Sequence, residues 1–253
     1  MEFITINMPY AVKGIFLYLL FFSTFANSGS CPSPVYLTFD TGNMSTAKHI
    51  AQILKQKNVR ARFFLANNPT KSGASALSSP WKSYWKSRVN EGHTFGNHTW
   101  SHYFVRSDMG TKSIKAYNRK GGVVKLNKKT YCAELTRVQS TFYKLTGHKI
   151  SGVWRAPAGR TTQNSIRWAA ECGYPIHMGW STAGYIRDDL SSKKYPNKIL
   201  LDKAATLIHE GDIVLMHLGT WQRKKQAAGI LANLIDKLRS RGLCFESLSS
   251  KKS

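Results

Sequence analysis

Acidic residues are scarce: 13 Asp and Glu stand against 37 Lys and Arg in 253 residues, a formal charge of +24. So large an excess goes beyond what solubility asks for and speaks about partners rather than fold. It favours a polyanion: nucleic acid, an anionic membrane surface or an acidic wall polymer. No recognisable nucleic-acid motif accompanies the charge, so that reading has charge alone behind it. No Cys-x-x-Cys occurs among Cys31, Cys132, Cys172 and Cys244, which disfavours a zinc knuckle or a thioredoxin-like site. No linker or repeat interrupts the pattern, and the length suits one large barrel. Hydrophobic residues, at 42%, suffice for a sizeable core and exclude a disordered chain.

No apolar run reaches the about 20 residues that a membrane span needs. The run from Gly14 to Ala26 follows Lys13 and precedes the small, polar residues Asn27 to Ser30, the layout of a secretory signal. The expectation is a signal peptide over 1–30, cut after Ala26 or Ser30, and an exported domain over 31–253, periplasmic or secreted. A retained anchor is the alternative, and only then is the membrane a partner. Export argues against nucleic acid as a partner. It also places the cysteines in an oxidising compartment, where structural disulfides, or some buried free thiols, are the sober reading.

Short β-rich runs alternate with helical patterns. Strands are predicted at 35–39, 61–65, 94–97, 152–154, 175–180, 213–217 and 243–247. Helices are predicted at 46–56, 81–90, 131–145, 162–171, 199–209 and 224–241; the last carries Ile230, Leu231, Leu234, Ile235 and Leu238 at helical spacing. Such alternation implies parallel βαβ units, hence an α/β barrel or a doubly wound sheet, in one domain. Residues 106–129 break the rhythm with eight basic residues against Asp108, and read as an exposed basic loop, either a polyanion-gripping flap or a solvated insertion.

In parallel α/β folds, functional residues collect at the carboxyl ends of strands. Here those ends carry Asp40, the pair His98 and His102, Arg155 and His217. Two imidazoles one helical turn apart suit a shared metal, although a pair of surface histidines gives the same spacing. Asp40 could instead cap the first helix, where Ser45 is better placed. His217 sits in a run apolar enough for a core histidine. Arg155, with Pro and Gly fixing the backbone after it, suits a buried ion pair.

The ordered motifs TFDTG, NHTWSH, RAPAG and LMHLG resemble carbohydrate esterase family four, the NodB-homology polysaccharide deacetylases, over about Cys31 to Ser247. The resemblance implies a distorted (β/α) barrel of about seven parallel strands that removes acetyl groups with a divalent metal, zinc or else cobalt. It makes Asp40 the general base toward a metal-activated water, held by Arg155, and His217 the general acid. His98 and His102 become metal ligands, with Thr41 where the family usually has a second, ligating aspartate. The backbone N–H of Ala158, beside Pro157, would support the oxyanion. Leu215 would receive the acetyl methyl, and Trp180 and Trp221 would wall the sugar groove, core packing being the alternative for a lone Trp.

Two departures from the family pattern bear on function. Thr41 supplies at most a neutral hydroxyl, which weakens metal binding and keeps a metal-free glycan-binding protein in play. The family's fourth motif reads WSTAGYIRDDL here, so either Asp188 or Asp189 could orient His217. In a closed barrel the first and last strands adjoin, so Cys31 should bridge to Cys244, leaving Cys132 for Cys172. The charge favours an N-acetylated, anionic glycan such as peptidoglycan over neutral chitin-type oligomers.

Overall fold

The computed structural model describes residues 31–248; the expected signal segment, 1–30, lies outside them. In chain order the elements are β1 (Pro34–Asp40), α1 (Ala47–Gln56), β2 (Arg62–Leu65), α2 (Lys82–Asn90), β3 (Thr94–Asn97), β4 (Phe104–Met109), β5 (Ser113–Tyr117), β6 (Val123–Leu126) and α3 (Lys128–Thr146). They continue with β7 (Val153–Trp154), α4 (Gln163–Glu171), β8 (Ile176–His177), α5 (Asn197–Leu207), β9 (Ile213–His217), α6 (Leu231–Ser240) and β10 (Cys244–Phe245).

Seven of these strands form one parallel sheet. β1 pairs with β2, β9 and β10, and the chain of pairs runs on through β3 and β7 to β8. The gap between β8 and β9 is spanned by irregular backbone. Ser181 N–H donates to the Ile213 carbonyl (3.0 Å), and Leu215 N–H donates to that of Gly184 (2.9 Å). The result is a distorted (β/α) barrel, the expected class. The predicted strand 175–180 shrinks to β8 because its last residues turn away to make this closure.

Strands buried on both faces read as continuous apolar runs, as VYLTF and RFFL do. Phe39, Phe63 and Phe95 stack from strand to strand with ring centroids 5.6 and 6.0 Å apart, and Trp85 and Phe142 from α2 and α3 close over them. The predicted helix 224–241 begins later, as a 3-10 turn over Ala227–Ile230 that leads into α6. Its upstream part is held instead by Arg223, which donates to the carbonyls of Leu190 and Tyr195.

The basic segment corrects the expectation of a loop. It folds as a three-stranded antiparallel sheet, β4-β5-β6, beside the barrel. Val105, Ile114, Ala116 and Leu126 are buried beneath it, while most of its cations are exposed. Its alternation of apolar and basic residues is therefore the period-two pattern of a half-buried sheet.

Both disulfides form as expected, Cys31–Cys244 joining the start of β1 to β10 and Cys132–Cys172 joining α3 to the end of α4.

Candidate active site

Asp40 and His217 are register partners at the ends of β1 and β9, so one backbone pairing fixes their separation. The loops that follow interlock. Gly42 has φ +51°, and a Cβ there would lie 2.1 Å from the Gly219 carbonyl oxygen; Gly219 has φ +106°, and a Cβ there would strike the side chains of Asn43 and Ser45. Asn43 N–H donates to the Gly219 carbonyl at 2.8 Å. Only glycine fits both positions, and their contact sets the mouth of the site.

Arg155 is fully buried behind Asp40. Its Nη1 donates to Asp40 Oδ1 and to Thr38 Oγ1, both at 2.9 Å, while Nε and Nη2 donate to the carbonyls of Met178 and Gly179. Every edge of the guanidinium is thus committed, which suits a fixed counter-charge better than a mobile one. Burial pushes the Asp40 carboxyl up, but His98, Arg155 and His217 pull it down further, so it stays below the ordinary carboxylate range. Asp40 is an ionised carboxylate at neutral pH, not a helix cap.

His217 is held by Asp188. The ring Nδ1 donates to Asp188 Oδ1 at 2.8 Å, and the His217 backbone N–H donates to Oδ2 at 2.6 Å. Burial works against the imidazolium, yet Asp188, with Asp40 and Asp189 beyond it, raises its pKa to about 9. This settles which aspartate of the DDL run orients His217. Asp189 instead accepts from the Tyr185 hydroxyl at 2.9 Å.

His98 and His102 follow β3 in a loop, not on a helix. Thr99 (φ 61°) and His102 (φ 55°) are left-handed, which a helix forbids. Asn97 Oδ1 accepts from Thr99 N–H, and the Glu134 carboxylate accepts from both the N–H and the hydroxyl of Ser101. The loop still brings the two rings to 4.8 Å between centroids. Burial lowers the pKa of both histidines, so they are neutral at pH 7.

This pair fits a divalent ion in two respects. His98 Nδ1 lies 2.8 Å from the Arg155 carbonyl, an acceptor only, so Nδ1 carries the proton. That leaves the lone pair of Nε2 facing Asp40 Oδ2 at 3.3 Å, two acceptors that need a cation or a proton between them. A backbone carbonyl on the far nitrogen is also the usual support of a metal-ligating imidazole. His102 Nδ1 is buried with no hydrogen-bond partner. Thr41 does not complete the set: it is fully buried, its hydroxyl accepts from Ala66 N–H at 3.2 Å, and it does not reach the cavity. Among the described residues no three His, Cys, Asp or Glu side chains gather as a metal cluster.

These groups open on one cavity of about 500 Å³. Of the expected substrate contacts, Ala158, Trp180, Leu215 and Trp221 line it. Ala158 is left-handed (φ 55°), and Trp221 is 56% exposed at the rim. Pro157 is buried behind Ala158 and does not face the cavity. Sequence reasoning missed Asn43, Asn68, Phe104, Arg119 and Tyr185, which also line it. Only Arg119 left a trace, as one of the basic residues of 106–129.

Comparison with known proteins places the chain in a family and agrees with the fold. The family model for polysaccharide deacetylases matches residues 28–177, more than half the chain. The peptidoglycan-N-acetylglucosamine deacetylase of Bacillus cereus is 27% identical, over 85% of this chain and 67% of its own. The peptidoglycan-N-acetylmuramic acid deacetylase PdaA of Bacillus subtilis is 26% identical, over 85% and 69%. The chain thus spans about two thirds of the length of these relatives. A solved peptidoglycan N-acetylglucosamine deacetylase, bound to an N-oxidanyl-benzamide, superposes with TM-score 0.65 at 25% identity, covering 87% of this chain and 88% of that one. A CE4 family pseudoenzyme from Bacillus anthracis shares the fold at TM-score 0.61 and 21% identity, over 85% and 64%.

Proposed function

Since the chain belongs to the polysaccharide deacetylase family, we propose that it hydrolyses N-acetyl groups from a bacterial cell-wall or envelope glycan, peptidoglycan first among them, outside the cytoplasm. The observation that carries this reading is the pairing of two opposed groups across one cavity, an ionised Asp40 locked to Arg155 and a protonated His217 locked to Asp188. A base and an acid whose environments hold them in opposite protonation states at one pH are what amide hydrolysis needs.

In this reading Asp40 Oδ2, free of Arg155, takes the proton of the attacking water, while Arg155 holds the carboxylate ionised. His217 delivers its proton to the departing amine, and Asp188 keeps the imidazolium oriented through the transfer. Ala158 presents backbone at the cavity wall for the oxyanion, where a well-aimed donor contributes ~3 kcal/mol. Leu215 receives the acetyl methyl, and Trp180 and Trp221 flank the sugar. His98 and His102 would hold a divalent ion, zinc in the first instance, whose Lewis acidity would polarise the carbonyl and acidify the water.

Thr41 favours a second reading. With the third ligand position turned into the barrel wall, the same cavity suits a glycan-binding protein that holds no metal. Acetate release separates the two readings: peptidoglycan and chitin oligomers are incubated with the protein, with and without added zinc or cobalt, alongside Asp40→Asn. Metal-dependent release lost in Asp40→Asn supports the hydrolase. Tight glycan binding with no release under any metal supports the binder.

A further inference from the structure

The β4-β5-β6 sheet carries most of the cations of residues 106–129, yet only one of the eight, Arg119, reaches the cavity. It stands in the turn between β5 and β6, and that turn is built rather than loose. Asn118 Oδ1 accepts from the N–H groups of Lys120 (2.9 Å) and Gly122 (3.0 Å), and Asn118 N–H donates to the Gly122 carbonyl at 2.9 Å. The sheet beneath is anchored by buried Ile114, Ala116 and Leu126. Arg119 is therefore held out over the cavity by a fixed support, near His102 and Phe104.

Among the described residues Arg119 has neither a carboxylate within ion-pair distance nor a hydrogen-bond partner. Lys128, by contrast, pairs with Glu171, and the sheet's own carboxylate, Asp108, faces Asn164 N–H at the far side. The two carboxylates on the cavity wall are already engaged, Asp40 by Arg155 and Asp189 by Tyr185. A planar guanidinium at a cavity wall with no internal partner matches a carboxylate, which it can bind with two parallel hydrogen bonds.

We infer that Arg119 is a specificity-determining residue that binds a carboxylate of the glycan beside the acetamide, so that an acidic sugar chain is preferred to a neutral one. The inference rests on the glycan reading above and narrows its substrate. In a peptidoglycan strand such a carboxylate comes from the lactyl ether of the muramyl sugar or from its peptide stem.

Equilibrium binding tests this without turnover, because Trp180 and Trp221 line the cavity and their fluorescence reports occupancy. The ligands are a peptide-free tetrasaccharide of alternating N-acetylglucosamine and N-acetylmuramic acid, the same strand with its stems, and neutral chitin tetraose, at one ionic strength. For Arg119→Gln the ratio of acidic to neutral affinity falls about 10- to 100-fold, the range of one lost charge-assisted pair, and Arg119→Lys recovers part of it. A drop already complete on the peptide-free strand assigns the lactyl carboxylate; a drop confined to the strand with stems assigns the peptide. Lys120→Gln removes the same charge one residue away without touching the cavity, and it changes the ratio by less than about twofold. An unchanged ratio in Arg119→Gln, or an equal fall in Lys120→Gln, overturns the inference. Discrimination without acetate release would leave the carboxylate contact standing and sink the hydrolase.

Discussion

Replacing Asp188 by Asn tests the proposed acid most directly. Asn is nearly isosteric and retains an acceptor for the His217 backbone N–H, but it removes the negative charge 2.8 Å from Nδ1. Asp188 is the largest of the influences that raise His217 to about 9 against the cost of burial. Without it, Asp40 and Asp189 remain to offset burial, and the imidazole returns to its ordinary 6.5 or below. That change is worth ~3 kcal/mol of differential stabilisation of the imidazolium. At pH 8 the protonated fraction drops from about nine tenths to about one thirtieth, a loss of roughly 30-fold in the competent acid. The assay is kcat/KM for acetate release between pH 5 and 10. Wild type should fall off on the alkaline side near pH 9, and Asp188→Asn near 6.5 or lower, the two converging in acid. If the limb stays where it was, or the variant loses the same factor at every pH, then Asp188 does not set the protonation of His217 and His217 is not the acid.

Arg155→Met strands the Asp40 carboxylate in the barrel wall and should cost about 3–5 kcal/mol by urea denaturation; a loss under 1 kcal/mol would mean that water replaces the guanidinium. Stability should also fall in mild acid through His93, whose Nδ1 accepts Ala61 N–H at 3.1 Å and whose pKa burial depresses to about 4. The folded form holds this ring neutral, so its contribution is complete above the unfolded value of 6.5. It is lost as pH falls toward 4, about 3 kcal/mol in all, and His93→Gln should flatten that slope. His177, also brought to about 4 by burial but partly reached by solvent, adds a smaller loss in the same window. Chelation should abolish acetate release and added zinc restore it in wild type, with His102→Ala unrestored at the same zinc concentration and restored only at far higher levels.

Much of the site is legible in the sequence because β-strands deliver their last residues to one rim: Asp40, Arg155 and His217 follow apolar runs that could only be buried strands. What was hidden was set by partners distant in sequence. Thr41 turns inward because Ala66 N–H needs an acceptor, and no pattern around Thr41 shows that need. The His pair looked helical by spacing alone, whereas Asn97 and Glu134 impose a left-handed loop. The choice of Asp188 over Asp189 depends on which side of a non-periodic segment meets β9. The basic sheet is hard to see in the sequence because its buried residues, Val105, Ile114, Ala116 and Leu126, are few and stand among many cations.

The order in which this barrel can be completed follows from the place of β1. Two of its three neighbours, β9 and β10, come from the last fifth of the chain, and Asp40 meets His217 only through β9. A nascent chain that ends before residue 213 already holds Asp40, Arg155, His98 and His102, yet lacks the strand that brings His217. Such pairings across nearly the full length make folding slow and late. In the proposed reading, any product cut before β9 keeps Asp40 without His217 and should release no acetate.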